Sequence, residues 1–141
     1  EHPSPQNFHL AQEIAYGTLR RALTLDFYAA QLAQKKQLKL KTKELILLRT
    51  ALYQYYFMDR IPLYALTNET IEIAKRYCHR IFCGFLNAIL RDLTEKKIEL
   101  PRGTSSKELS IKYSYPEFFV QALVKDYGIE KGVKILEAGN E

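Results

Sequence analysis

The feature that most constrains this chain is the stretch of residues 43–58, which is apolar on nearly every face of a helical repeat. A helix without a polar face must be covered on several sides, so it belongs in the centre of a bundle. Tyr55 and Tyr56 stand at core spacing there, which favours buried rings over platforms that stack on bases. We therefore expect an all-α protein built around this helix.

Apolar residues at helical spacing predict further helices on both sides of the central one. Thr24 is placed to cap the second helix, and Pro62 suits the first turn of the helix after the central one. Polar residues 1–6 are expected to form an extended lead. After this lead we expect a bundle of about five to seven helices. The helices besides the central one have expected bounds near 7–22, 25–34, 63–77, 81–94, 115–128 and 129–138.

Four polar or small residues inside these helices carry specific expectations. Gly17 weakens its helix by about 1 kcal/mol relative to alanine, which indicates that a neighbouring helix crosses closely there. Glu72 and Arg76 are spaced as an exposed i,i+4 ion pair. Asn87 stands among apolar neighbours, so we expect it to be buried and hydrogen-bonded.

The polar residues 95–113 give the strongest linker signal in the chain. We place a boundary there, with a helical domain over residues 1–100. Residues 101–141 are then a linker and a pair of C-terminal helices that start a connector. Ser114 and Glu117 have the spacing of a capping box, which would begin the first helix of that pair. Gly128 separates the two helices.

Charge is unevenly distributed along the chain. Residues 1–112 hold 18 Lys and Arg against 11 Asp and Glu, whereas residues 113–141 hold 3 against 5. A basic body with a mildly acidic tail favours an anionic partner, with nucleic acid first among them. The alternative is that a net charge of +5 only keeps a small domain soluble.

The densest basic segment lies at residues 35–43, which contain five lysines in nine residues. We expect a loop that turns into the central helix at Thr42. Lysine is a mobile point charge that suits phosphate contacts but does not read bases. The segment is therefore either a phosphate-facing patch or an ordinary solvated loop, and the sequence leaves both interpretations open.

No pattern of catalytic residues is present in the sequence. It has no glycine-rich phosphate loop, no paired acids in an evident site and no metal-binding motif. Cys78 and Cys83 lack a second ligand pair that could complete a zinc site with His79, so we expect reduced thiols packed as small apolar groups. The chain is interpreted as a binding or scaffolding module with no catalytic residues, no metal and no cofactor of its own.

Membrane insertion and secretion are not indicated either. The longest apolar run covers residues 45–58 and is interrupted by Arg49, Thr50 and Gln54, so it is too short and too polar to span a bilayer. The polar start lacks the apolar segment of a signal peptide. We expect a cytoplasmic protein.

Several motifs together resemble one family. Tyr-Gly-Thr-Leu-Arg at residues 16–20 resembles a Tyr-Gly-x-Leu-Arg segment, and residues 52–62 resemble a Leu-Tyr-Gln…Arg-Ile-Pro block. Asn-Glu and Ala-Lys within residues 68–75 are similar to an Asn-Glu…Ala-Lys helix. Gly-Phe-Leu-Asn-Ala-Ile-Leu-Arg at residues 84–91 is similar to Gly-Phe-Val-Asn-Ala-Val-Leu-Arg. These patterns occur in the NusB-type domain that begins the RsmB (Sun/Fmu) family of small-subunit rRNA cytosine methyltransferases.

The tail carries the most discriminating part of the resemblance. Residues 113–118 and 136–141 resemble that family's Tyr-Ser-His-Pro-Glu-Trp…Leu-x-Ala-Asn-Asn-Glu connector, which leads into its methyltransferase domain. Phe118 stands where tryptophan is usual, and Gly139 where asparagine is usual. The family's first helix is not recognisable before Asn7, and the sequence leaves open whether it is missing.

The resemblance implies an RNA-targeting domain with a NusB-like helical fold. Its partners would be small-subunit rRNA and a methyltransferase domain of the same polypeptide. That domain is expected to use S-adenosylmethionine and a cysteine nucleophile, and it does not follow in this sequence. Cys78 and Cys83 lie in the helical part, on nothing that resembles the family's catalytic motif.

We expect the exposed cations of the basic body to contact RNA phosphates. Arg20, Arg60 and Arg91 fall within the matched motifs, although each could instead form structural hydrogen bonds. The candidate RNA-binding residues are Arg20, Arg21, Lys35, Lys36, Lys39, Lys41, Lys43, Arg60 and Arg91.

Two other functions remain open at this point. A free-standing NusB-type transcription antitermination factor would bind RNA together with a ribosomal protein, but it does not need the tail after Tyr113. A protein-docking domain would instead present its helices to another domain, with the lysines merely solvated. The gene sequence beyond Glu141 distinguishes the factor from the methyltransferase.

Overall fold

The computed structural model describes residues 4–140, which form helices joined by turns and loops and contain no β-strand. The all-α expectation is confirmed. Residues 1–3 of the expected lead and residue 141 of the tail pattern lie outside the described residues, and the first helix already begins at Pro5. The helices are α1 (Pro5–Arg20), α2 (Ala22–Ala33), α3 (Thr42–Phe57), α4 (Leu63–Tyr77), α5 (Arg80–Asp92), α6 (Ser106–Tyr113) and α7 (Glu117–Gly139).

The helix α3 is the centre of the bundle, as its apolar composition predicts, and it packs against α1, α2 and α4. Its Leu48 and Leu52 are completely buried in a large apolar cluster built mainly from α2, α3 and α5. The rings of Tyr28 and Tyr56 stack in this cluster with centroids 3.8 Å apart. Burial raises the pKa of Tyr56, so its hydroxyl stays protonated. Tyr56 is therefore a half-buried residue that packs against the core through its ring.

The close helix crossing expected at Gly17 is present. A Cβ atom added there would lie closer than 3.0 Å to atoms of the Tyr53 ring, which reaches α1 from α3. Glycine is required because the tyrosine ring occupies the space of a side chain.

Several local expectations are wrong for tertiary reasons. Thr24 lies inside α2 and does not cap it, because its buried hydroxyl donates to the carbonyl of Ile111. Asn87 is exposed. Glu72 forms an ion pair with Lys75 at 3.6 Å rather than with Arg76.

The helix α6 was missed, because residues 95–113 had been expected to be a linker. Its signal was a capping box eight residues before the end of that segment. Ser105 Oγ accepts from the backbone N–H of Glu108 at 3.1 Å and donates to the Glu108 carboxylate at 2.7 Å. The carboxylate also accepts from the N–H of Gly103 at 2.9 Å. These bonds begin α6 within a segment rich in loop-forming residues.

The capping box expected at Ser114 is wrong. Ser114 ends α6 in a left-handed conformation with φ 60°, and its hydroxyl accepts from the N–H of Leu23. The following helix begins after Pro116, which makes no side-chain capping hydrogen bond. The break expected at Gly128 is confirmed, since its φ of 84° and ψ of 167° interrupt α7.

A smaller apolar cluster joins α6 to α7 and contains Leu109, Val120, Leu123 and Leu136. The helix α6 also packs against the first turns of α2. The two clusters fall on either side of the segment where we place the boundary near residue 100, and the division into two units stays a prediction.

Candidate nucleic-acid interface

The lysine-rich segment forms the connection between α2 and α3. The helix α2 is followed by its C-cap residue Gln34, whose φ of 56° turns the chain, and Lys35 N–H donates to the Ala30 carbonyl at 3.0 Å. The helix α3 starts where the Glu44 carboxylate accepts from the backbone N–H of Lys41 at 2.9 Å. Both ends of the segment are thus held by hydrogen bonds, and its lysine side chains project from an ordered loop.

This loop forms one wall of a groove, and the beginning of α5 forms the other. The groove has a volume of about 440 Å³. The loop contributes Lys35, Lys39 and Lys41 together with two leucines. The helix α5 contributes Phe82 and Phe85. The arrangement combines an apolar floor, on which a base or sugar could lie, with cations that suit phosphates.

The lysines of this segment are free of internal partners. No ion pair within residues 4–140 involves any of the five, and all five are exposed. The acid of the groove, Glu44, already accepts a hydrogen bond from the Lys41 backbone. An exposed ion pair would contribute little to folding in any case. The positive charge of the groove is therefore available to an external anion.

Lys36 and Lys43 flank the groove without lining it. Lys36 borders a different recess, which Asp26 also lines. Lys43 borders an apolar recess between α3 and α4 that includes Ile46 and Tyr77. Three of the five lysines thus share one groove and two lie at its margins.

The arginines expected to bind RNA are dispersed. The Arg21 guanidinium lies 4.6 Å from the centroid of Phe57 and donates to the backbone carbonyl of Asn140 at 3.5 Å, which makes it a structural residue. Its neighbour Arg20 is exposed at the same junction. This junction begins α2, whereas the lysine loop follows its end, about 18 Å away along twelve residues of helix.

Arg60 and Arg91 differ in their surroundings. Arg60 forms an ion pair with Glu13 of α1 at 3.3 Å, and both side chains remain largely exposed. Arg91 is exposed on α5 and takes part in no ion pair within the described residues. Of the four arginines, Arg91 lies on the helix that also forms a wall of the groove.

Sequence reasoning missed the contribution of α5 to the groove. His79 caps α5 by accepting from the N–H of Ile81 through Nδ1 at 3.4 Å, and both residues line the groove. Ile81 is 78% exposed although it is apolar. The signal in the sequence was Ile81 itself, an apolar residue at the start of α5 that does not belong to the repeat of buried apolar residues on this helix.

The two cysteines are half-buried free thiols packed against the large apolar cluster, which confirms their expected packing. Burial raises the pKa of the Cys78 thiol, which disfavours a reactive thiolate. In the part of the chain that the structure describes, no group of three or more His, Cys, Asp or Glu side chains could hold a metal ion. No helix of that part is both long and apolar enough to cross a membrane.

Comparison with known proteins shows similarity over most of the chain. A probable ribosomal RNA small subunit methyltransferase B of Bacillus subtilis is 33% identical over 134 residues, which are 94% of this chain and 30% of that protein. The ribosomal RNA small subunit methyltransferase B of Vibrio cholerae is 32% identical over 139 residues, 96% of this chain and 31% of that protein. The chain thus spans about 30% of the length of these relatives.

A third relative is a protein of a different kind. The transcription antitermination protein NusB of Heliobacterium modesticaldum is 34% identical over 101 residues, which are 70% of this chain and 48% of that protein. No solved structure matches the chain. The family model for NusB matches residues 1–95, which is more than half of the sequence. With its all-helical fold, its central apolar helix and this match, the chain belongs to the NusB family.

Proposed function

We propose that this NusB-family domain binds RNA and is the RNA-targeting part of a small-subunit rRNA methyltransferase. The observation that carries the proposal is the groove between the α2–α3 loop and α5. There, Lys35, Lys39 and Lys41 surround an apolar floor and form no ion pair within residues 4–140. Flexible lysines beside the exposed Ile81 and half-buried apolar side chains suit a single-stranded RNA segment, which offers phosphates and base faces together.

The methyltransferase part of the proposal rests on the relatives. Methyltransferase relatives match 94% and 96% of this chain, so their similarity extends over α6 and α7 as well as the NusB-matched part. The proposed reaction transfers a methyl group to C5 of cytosine and takes place on polypeptide other than this chain. S-adenosylmethionine would supply that group. Residues 4–140 contain no strand that leads into a glycine-rich loop, so they do not fit this cofactor.

Contact with the methyltransferase domain is proposed for α7. Phe118 is 74% exposed and Tyr127 55% exposed on this helix, and α7 packs within the described residues mainly on α6. Large exposed aromatic side chains favour an interdomain contact. The smaller apolar cluster would then position α7 between the RNA-binding groove and that domain.

The test measures RNA binding by the 141-residue chain, using the fluorescence anisotropy of a labelled single-stranded fragment of small-subunit rRNA. With about four phosphate contacts, we expect the affinity to fall about 50-fold between about 50 and about 200 mM salt. Changing Lys35, Lys39 and Lys41 together to glutamate should abolish binding.

A matched control carries the same charge change elsewhere. Lys125, Lys131 and Lys134 are exposed on α7, and their replacement by glutamate lowers the net charge by the same amount. This control should retain most of the affinity if the groove binds RNA. Equal losses in both triple variants would indicate only a general charge effect, and no binding by the unmodified chain at low salt would refute the proposed function.

An antitermination factor is the second candidate, and the Heliobacterium relative favours it. Such a factor would bind its RNA more tightly when a ribosomal protein is added. Affinity for the rRNA fragment that is unchanged by ribosomal proteins supports the methyltransferase assignment.

A further inference from the structure

The exposed face of α5 has an unusual composition for a helix surface. Arg80, Gly84, Asn87 and Arg91 are all exposed, and their spacing of four, three and four residues places them on one side of the helix. The opposite side carries Phe82, which is buried in the large apolar cluster with leucines of the same helix. No described helix packs on the exposed face.

Gly84 has no structural reason to be glycine. It lies in the interior of α5, where glycine costs about 1 kcal/mol relative to alanine. A Cβ atom added at Gly84 would have no atom within 4 Å, whereas one added at Gly17 would collide with the Tyr53 ring. The space above Gly84 is therefore open, and the glycine lets an external molecule approach the helix backbone closely.

The charge of this face indicates what that molecule is. Arg80 and Arg91 form no ion pair within residues 4–140. Asp92, the acid of α5, is bound by Lys96 at 3.2 Å, and Glu95 follows only after the helix has ended. Two guanidinium groups without an ion-pair partner in residues 4–140 and an amide around an open backbone match a polyanion such as RNA and do not match a basic or apolar protein surface.

We propose that the sugar-phosphate backbone of RNA lies across α5 at Gly84, with Arg80 and Arg91 bound to phosphates and the Asn87 amide hydrogen-bonded to a sugar or phosphate oxygen. The two arginines are eleven residues apart, about 16 Å along the helix, so they reach phosphates of different nucleotides. Ile81, next to Arg80, lines the lysine groove. The RNA path therefore continues from the groove along α5.

This inference rests on the proposed RNA binding, and the decisive variant separates binding from folding. Gly84→Gln adds a helix-favouring, uncharged side chain into open space, so the melting temperature should stay unchanged or rise. RNA affinity should nevertheless fall at least about tenfold. The added side chain would hold the sugar-phosphate backbone of the RNA away from α5 and so weaken a charge-assisted contact between an arginine and a phosphate. Ala122→Gln, at an exposed position of α7, is the matched control and should alter neither quantity.

A second measurement tests the arginines. Arg80→Gln and Arg91→Gln should each reduce the slope of log affinity against log salt by about 0.7, the value of one single-strand phosphate contact. Wild-type affinity in Gly84→Gln, together with unchanged slopes, would overturn the inference while the lysine variant could still support RNA binding. If Gly84→Gln leaves RNA affinity intact but weakens binding of the separate methyltransferase domain, this face is a protein contact and the inference is wrong.

Discussion

Replacing Gly17 by alanine tests whether the crossing of α1 and α3 is as tight as the structure shows. The new methyl group would lie closer than 3.0 Å to three atoms of Tyr53, namely the ring carbons Cζ and Cε1 and the hydroxyl oxygen. That ring stacks on Phe57 with centroids 5.5 Å apart, so it cannot move without disturbing a second aromatic side chain. Gly17→Ala therefore forces either a rotation of Tyr53 or a separation of the helices.

Two opposing effects determine the magnitude. Overpacking a fitted contact costs about 1–3 kcal/mol. Alanine in a helix interior gains up to about 1 kcal/mol over glycine. With about 2 kcal/mol of overpacking, Gly17→Ala should lower the free energy of unfolding by about 1 kcal/mol. In a domain of this size that corresponds to a melting temperature lower by about 3–4 °C.

Gly84→Ala provides the matched comparison because it makes the same change in another helix interior without a steric cost. No atom lies within 4 Å of the added methyl group, so only the gain in helix propensity remains. We expect an increase of about 1 kcal/mol in the free energy of unfolding. Urea denaturation followed by circular dichroism measures both variants, and their unfolding free energies should differ by about 2 kcal/mol.

A double variant identifies the cause. A leucine side chain at position 53 would end before the space in which the outer atoms of Tyr53 collide with a Cβ atom at position 17. Gly17→Ala should therefore become stabilising in a Tyr53→Leu background. If Gly17→Ala stabilises the protein with Tyr53 present, or has the same effect in both backgrounds, the steric explanation is refuted.

Two further predictions concern polar contacts. The hydrogen bond from the Ser105 hydroxyl, with the N–H groups of Gly103 and Ser105, lowers the pKa of Glu108 below its ordinary 4.5. The unfolded chain therefore binds a proton more readily, so this contribution to stability is present above pH 4.5 and is lost as the pH falls through the lower folded value. Glu108→Gln should flatten the dependence of stability on pH in that range, and an unchanged slope would contradict this assignment. Arg49 donates two hydrogen bonds of 2.7 Å to the Asp26 carboxylate, so Arg49→Met should cost about 1–2 kcal/mol, and much less in an Asp26→Asn background.

Much of the fold could be predicted because its signals are local. The bounds of α4 agree with the expected 63–77, and those of α3 differ from the expected ones by one residue at each end. Gly17 and Gly128 were interpreted correctly because the helical cost of glycine requires a structural reason. The helix α6 was missed because its eight residues lie among glycine, serine and charged residues that are typical of loops.

The candidate site was predicted only in part. The five lysines of the loop are contiguous in sequence, so their concentration was visible without a structure. The second wall of the groove could not be, because Ile81 and Phe85 come from a helix about forty residues later. Asn87 was expected in the core because its neighbours are apolar, but its angular position on α5 places it with Gly84 on the exposed face.

Apolar periodicity and the absence of a polar face in residues 43–58 were enough to predict most of the helices and the central position of α3, since these properties arise from each helix and its own side chains. The NusB-type fold was expected only from the resemblance of the sequence motifs. The partners of individual polar groups depended on the tertiary structure. Thr24 and Ser114 had good local capping positions. In the fold, however, the Thr24 hydroxyl donates to the Ile111 carbonyl and the Ser114 hydroxyl accepts from the Leu23 N–H, so both hydroxyls connect α2 with α6. The Leu23 N–H lies in the first turn of α2 and the Ile111 carbonyl in the last turn of α6, where a backbone group has no partner within its own helix, and only the packed arrangement decides which hydroxyl is nearest.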